Sequence, residues 1–160
     1  MRRKTILLLF CLINIAVISA QNVADNPIKW RMTVKMTSAT EGTVTLRALL
    51  EPGWHLYGTE LPKDGPVPTT FDFSESKGVK FIDNFKPSAQ PGSHKDANFG
   101  MVLKWWDTNV TFTRNFRLTG KCEDAVIQGS VRFMGCNDAN CLPPKTVPFK
   151  TTPKPFTASK

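Results

Sequence analysis

Trp30-Arg31-Met32-Thr33-Val34-Lys35-Met36 alternates strictly, with apolar side chains at the even positions and polar or charged ones between them. A period of two marks a strand with one face buried. The pattern returns at once: Val44, Leu46, Ala48 and Leu50 alternate with Thr43, Thr45, Arg47 and Leu49. Further along, Phe71 and Phe73 flank Asp72, and Phe81, Asp83 and Phe85 begin another short run. Met101, Leu103 and Trp105 alternate with Val102, Lys104 and Trp106. Val110, Phe112, Phe116 and Leu118 line one face of the next strand, although Arg114 breaks the pattern. Ile127, Val131 and Phe133 define a later strand, and Val147 with Phe149 the last.

Turn signals separate these runs: Glu51-Pro52-Gly53, Lys63-Asp64-Gly65-Pro66, Gln90-Pro91-Gly92 and Thr119-Gly120. Beyond residue 20 no stretch carries a helical stripe. Eight or nine short strands with frequent turns predict an all-β fold, an immunoglobulin-like antiparallel β-sandwich. A small closed barrel is the alternative. Residues 86–98 are polar, contain two prolines and read as a long loop of the kind that often carries function. Residues 151–160 read as a frayed tail, and no internal repeat divides the chain.

Composition narrows the function. The 160 residues include 21 Lys and Arg against 13 Asp and Glu, 11 Phe and 4 Trp, with 41% hydrophobic residues, which excludes a disordered chain and suits one domain with a real core. The P-loop, dinucleotide-fingerprint, H-E-x-x-H and G-x-S-x-G patterns are all absent from the sequence. Basic residues are scattered, without a run of three beyond the N-terminus or an interleaved aromatic stripe, so no nucleic-acid footprint is expected. The charge fits solubility and weak affinity for acidic surfaces.

Arg2, Arg3 and Lys4 precede an almost purely apolar stretch over residues 6–16, and Ser19-Ala20 closes it with small residues. This is the pattern of a secretory signal peptide cleaved near Ala20; the run is short for a membrane anchor. Cys11 follows bulky residues, unlike a lipoprotein cysteine, and is expected to leave with the signal. Cleavage would lower the formal net charge from +8 to +5 and leave Cys122, Cys136 and Cys141 in a compartment where disulfides persist. The expected organisation is thus a signal over residues 1–20, a domain over 21–150 and a tail over 151–160.

The chemistry sits in Val131-Arg132-Phe133-Met134-Gly135-Cys136-Asn137-Asp138-Ala139-Asn140-Cys141-Leu142-Pro143-Pro144. Four residues between the cysteines allow a turn that returns the Cα atoms to disulfide distance, about 4.4–6.8 Å. Two prolines then force extended chain. Closing so small a loop removes less chain entropy than the roughly 3 kcal/mol expected for a loop of about 15 residues. Short structural disulfides are nevertheless ordinary in exported proteins, so spacing alone leaves staple and exchanging pair equally open.

Gly135-Cys136, Asp138, Cys141-Leu142-Pro143-Pro144 and Thr146-Val147-Pro148 resemble the N-terminal periplasmic domain of the thiol:disulfide interchange protein DsbD. Pro52-Gly53-Trp54-His55-Leu56-Tyr57 looks like that family's G-W-H-x-Y segment, and Gly65-Pro66-Val67-Pro68-Thr69 like its following turn. Asp96-Ala97-Asn98-Phe99-Gly100 is similar to its cap loop. The resemblance covers about residues 30 to 150, in order. It implies an immunoglobulin-like periplasmic domain whose Cys136/Cys141 pair shuttles between disulfide and dithiol, with Asp96, Asn98 and Phe99 in a loop covering it. It further implies a thioredoxin-like protein or membrane-embedded reductase as electron donor, oxidised periplasmic proteins as clients, and no cofactor. The cysteine loop is one residue shorter than is common in the family. The sequence holds one such domain, so companion parts are expected as separate proteins. The alternative reading is a non-enzymatic secreted binding module with a structural disulfide.

Other residues carry plainer expectations. With residues 126–134 read as one strand, Cys122 and Cys136 would lie near opposite ends, about 40 Å apart if extended, too far to pair. Cys122 is expected as a partly buried free thiol in a monomer, with an intermolecular disulfide as the alternative. His55 and His94 are expected as satisfied or solvated histidines, since a zinc site would need a second short spacing. Trp54, Tyr57, Trp105 and Trp106 read as core or sheet-face aromatics rather than a sugar platform. Glu123 and Asp124 are adjacent and make no catalytic pair. The Asn109-Val110-Thr111 sequon reads as chance.

Overall fold

The computed structural model describes residues 26–157; the expected signal peptide, its cleavage point and Cys11 lie outside the described residues. In chain order the strands are β1 Ile28–Met36, β2 Glu41–Leu50, β3 His55–Tyr57, β4 Thr70–Asp72, β5 Val79–Phe81, β6 Lys86–Pro87, β7 Gly92–Lys95, β8 Val102–Trp106, β9 Val110–Leu118, β10 Ile127–Phe133, β11 Gly135–Cys136 and β12 Lys145–Thr151. A single 3-10 turn, Cys122–Asp124, is the one helical element among the described residues.

All pairings are antiparallel. One sheet runs β1-β2-β9-β5, with β6 also on β9; a second runs β12-β10-β4; a third runs β11-β3-β8-β7. The alternation seen in the sequence now has a register. Trp30, Met32 and Val34 lie opposite Ala48, Leu46 and Val44, and Leu46 lies opposite Phe112. Directly opposed residues share a face, so these side chains form one inner wall. Ile127, Val131 and Phe133 of β10 close the sandwich from the other side, with Phe73 between. The chain is an all-β antiparallel sandwich of immunoglobulin-like type, as the strand pattern predicts.

Aromatic packing ties the layers together. Phe112 contacts Trp30 at 5.8 Å, Phe71 at 4.9 Å and Trp106 at 5.2 Å between ring centroids; each such pair contributes about 0.5–1.5 kcal/mol beyond its buried area. Arg114, which interrupts the apolar face of β9, does so by lying flat over Phe81 at 4.2 Å while its Nε donates to the Asp83 carbonyl. The cation–π contact lets a charged residue occupy an inner-face position.

Two expectations change. Residues 86–98 are not one loop: β6 and β7 lie within them, and β7 forms the outer edge of the third sheet. Only His94 is even half-buried among the exposed residues of β7, so no apolar period advertises it. The tail is anchored at its start, because β12 continues through Thr151 and Pro153 is buried. Among the described residues no helix is long and apolar enough to cross a membrane.

Candidate functional site

The third sheet contributes to two apolar clusters at its β3 and β8 strands, and this places the site. On β8, Leu103 and Trp105 join a small cluster with Tyr57 and Cys136, whereas Trp106 belongs to the main core. On β3, Leu56 faces the main core and Tyr57 the small one. On β11, Gly135 faces Ile28 so closely that a Cβ there would lie 2.3 Å from Ile28 Cδ1. Its neighbour Cys136 faces the small cluster and is fully buried. A side chain at 135 would therefore have to displace the Ile28 Cδ1 methyl group.

Cys136 and Cys141 form a disulfide with their Cα atoms 4.1 Å apart. Cys141 is half-buried and packs at the edge of the small cluster with Phe99, Met101, Met134 and Leu61. The intervening loop is organised by Asn137, whose Oδ1 accepts from the amides of Ala139 (3.0 Å) and Asn140 (2.7 Å). The Asn137 amide donates to the Asn140 carbonyl at 2.9 Å, and the Leu142 amide to the Gly135 carbonyl at 3.0 Å. Beyond Cys141 a groove of about 450 Å³ runs between Trp54 and Leu142-Pro143-Pro144.

Over this cluster lies the turn between β7 and β8. Asp96 is buried and holds the turn from within: Oδ1 accepts from the amides of Asn98 (2.7 Å) and Phe99 (3.0 Å), and Oδ2 accepts from the Tyr57 hydroxyl (2.5 Å). The Gly100 amide donates back to the Asp96 carbonyl at 2.9 Å, with Gly100 at a φ of +66°. That left-handed conformation suits glycine alone without strain. Phe99 meets the Tyr57 ring edge-on at 6.0 Å, and Asn98 Nδ2 donates to the Asn137 carbonyl at 3.3 Å, linking this turn to the cysteine loop. Burial, the Asp96 hydrogen bond and the Asp96 charge all push the Tyr57 hydroxyl pKa well above the usual tyrosine range.

The structure therefore brings Asp96, Asn98, Phe99, Cys136 and Cys141 into one neighbourhood. Two residues gain weight that the sequence did not give them. Tyr57, read there as a packing aromatic, is the anchor of the turn. His55 is neither solvated nor satisfied: it is 7% exposed, and its Nε2 is buried without a hydrogen-bond partner. Its ring stacks on Trp105 at 4.2 Å, and His94 stacks on the same indole at 4.4 Å from the other side. Trp105 Nε1 donates to Asp107 Oδ1 at 2.7 Å, and His94 Nε2 lies 3.5 Å from Asp107 Oδ2. Gly92 leaves room for the His94 ring, since a Cβ there would come within 2.4 Å of it. Burial lowers the His55 pKa, against the opposing pull of Asp96, Asp107 and Asp138. The sequence places His55 in the Gly53-Trp54-His55-Leu56-Tyr57 segment, but its register opposite Cys136 needs the fold.

Cys122 stands apart, half-buried in the 3-10 turn and unpaired, with its Sγ donating to the Pro153 carbonyl at 3.5 Å. Among the described residues no group of three His, Cys, Asp or Glu side chains could hold a metal ion.

Comparison with known proteins gives the family and the fold. Residues 21–153 match the family described as "Thiol:disulfide interchange protein DsbD, N-terminal". The fold is similar to the crystal structure of the N-terminal periplasmic domain of ScsB from Proteus mirabilis, with a TM-score of 0.57 and 17% identity over 80% of this chain. The match covers 47% of that chain, so this protein spans about half its length. A weaker likeness, with a TM-score of 0.43 and 8% identity, links 80% of this chain to 92% of the yeast GGA1_GAE domain-P21 structure. No curated protein matches significantly.

Proposed function

Because the chain belongs to the DsbD N-terminal domain family, we propose that it is a periplasmic thiol–disulfide exchange module whose Cys136/Cys141 pair relays electrons from a donor to oxidised client proteins. The carrying observation is the asymmetry of the disulfide: Cys136 is fully buried, Cys141 is half-exposed, and the turn pinned by Asp96 lies over their cluster. Thiol exchange needs a reachable sulfur and a leaving thiolate, and this arrangement provides one sulfur for each role.

A donor thiolate, from a thioredoxin-like protein or a membrane-embedded reductase, attacks Cys141 Sγ. The Cys136–Cys141 bond breaks, Cys136 leaves with the electron pair, and a mixed disulfide joins Cys141 to the donor. The donor's second cysteine attacks that bond and departs as the donor's own disulfide, leaving this domain a dithiol. Run against a client disulfide, the same steps in reverse order reduce the client and restore Cys136–Cys141. The turn with Asp96, Asn98 and Phe99 acts as a cap, keeping small oxidants from the dithiol until a partner displaces it. The groove of Trp54 and Leu142-Pro143-Pro144 gives such a partner an apolar footing beside Cys141.

The test is the reduction potential of the purified chain without its first 20 residues, by equilibration with glutathione and thiol trapping. A value between about −120 and −270 mV supports exchange, while one below about −300 mV makes the bridge a staple and the protein a binding module. Cys136→Ala should accumulate mixed disulfides through Cys141, and Cys141→Ala should not.

A further inference from the structure

We propose that His55 is the proton acceptor and donor of Cys136 during exchange. The inference rests on the exchange reading above and assigns the chemical partner of its buried sulfur.

Cys136 and His55 are directly opposed across the β11–β3 ladder. Opposed residues in an antiparallel pair point to the same face with Cβ atoms about 4.5–5.5 Å apart. The His55 ring is fixed on that face by its stack on Trp105, which belongs to the same cluster as Cys136. It also lines a cavity of about 180 Å³ between the cap and the cysteine loop, together with Asp96, Asn98, Trp105, Asn137 and Asp138. A polar atom buried without a partner is uncommon and calls for an explanation. Trp30 Nε1, His94 Nε2 and His55 Nε2 are such atoms among the described residues, and of the three only His55 lies directly opposite a cysteine. Nothing in the structural role of the His55 ring, which packs through its faces, uses this nitrogen.

The chemistry supplies the explanation. A fully buried sulfur cannot leave or attack as an isolated thiolate without a large desolvation cost. When a client is being reduced, a mixed disulfide joins Cys141 to the client. Cys136 then attacks Cys141 Sγ, its thiol proton passes to neutral His55, and the client sulfur departs with the electron pair, taking a proton from water. In the loading direction a donor thiolate attacks Cys141, Cys136 leaves, and the His55 imidazolium returns the proton to it. Each direction forms one S–S bond and breaks one.

The groups around the ring are Tyr57 on its own strand, His94 and Lys95 on β7, Asp96 in the cap, Asp107 after β8 and Asp138 in the cysteine loop. The carboxylates favour the imidazolium and burial favours the neutral ring. The opposing influences allow the ring to change charge during a turnover without a permanent ion in the cluster.

The experiment uses the chain without its first 20 residues, fully reduced, with oxidised glutathione as probe. Acid quenching and mass spectrometry follow the glutathione adduct on Cys141 and its loss as Cys136 resolves it, across a pH series. The wild type should resolve the adduct at a rate that levels off above the His55 midpoint. His55→Gln and His55→Phe should resolve it at least about a hundredfold more slowly at neutral pH, the scale of lost acid–base assistance, with a rate that keeps rising with pH like an unassisted thiol. Variant profiles that superimpose on the wild type overturn the inference while leaving exchange standing. A wild type that forms no adduct overturns the exchange reading and this inference with it. If neither variant folds, the His55 ring is titrated by NMR in the wild-type disulfide and dithiol forms. A midpoint that moves by about one pH unit or more between them supports the coupling, and identical midpoints overturn it.

Discussion

The Tyr57 hydroxyl donates to Asp96 Oδ2 at 2.5 Å, fastening the middle of the four-stranded sheet to the cap above the disulfide. Tyr57→Phe leaves a buried carboxylate oxygen without its donor, which costs about 1–3 kcal/mol. The variant should unfold at lower urea concentration, and its disulfide should react faster with dithiothreitol because the cap is freed. The folded protein holds the Tyr57 proton more tightly than the unfolded chain does. That contribution is complete below the ordinary pKa of 10.0 and is lost as pH rises beyond it. Wild-type stability should therefore fall at strongly alkaline pH, with a smaller fall in Tyr57→Phe.

His55 has the opposite sign. Its folded pKa lies below the ordinary 6.5, so the unfolded chain binds the proton better. Stability is complete above 6.5 and is lost as pH falls through the folded value. Urea unfolding of the wild type should show this acid loss, and His55→Gln should flatten it.

The contact of Gly135 with Ile28 makes a paired prediction. Gly135→Ala places a methyl group where Ile28 Cδ1 sits, at 2.3 Å. Overpacking of this kind costs about 1–3 kcal/mol. Ile28→Val removes Cδ1 itself, so the double variant should recover most of that loss in chemical denaturation. A double variant no more stable than Gly135→Ala would mean that the strain lies in the backbone of β11.

The alternation of β1, β2 and β9 was legible because each has one face on a single core, and period two follows directly. Strand β3 hid its arrangement: His55, Leu56 and Tyr57 are all buried, so the sequence shows an unbroken run instead of a pattern. β7 hid for the opposite reason, since an exposed edge strand has no apolar rhythm. Cys136, Cys141, Asp96, Asn98 and Phe99 entered as candidates through motif resemblance, and the structure brings them into one neighbourhood. His55 was misjudged because its meaning comes from a cross-strand neighbour eighty-one positions away in the chain.

Cys122 and Pro153 supply the last prediction. The thiol is covered by the start of the tail, through the Pro153 carbonyl at 3.5 Å. Truncation after Thr151 should raise its alkylation rate severalfold while leaving glutathione exchange at Cys136/Cys141 unchanged. Cys122→Ser should alter neither the potential nor the exchange rate. Disulfide-linked dimers, if seen on gels of the truncated chain, should vanish in Cys122→Ser.

Strands β3 and β8 carry a separate consequence, because they belong to two cores at once. Proteins open in cooperative units, and the free energy of each opening reflects how much packing it breaks. Lifting the turn over residues 96–100 breaks the Tyr57–Asp96 bond and part of the small cluster. Shifting the ladder beneath the sulfurs would also tear Leu56 and Trp106 from the main core. In hydrogen exchange the amides of Asn98 and Phe99 should belong to a shallow local fluctuation, and those of β3 and β8 to global unfolding. On that outcome the turn over residues 96–100 would breathe at working temperature, while the floor under Cys136 would move only when the whole protein melts.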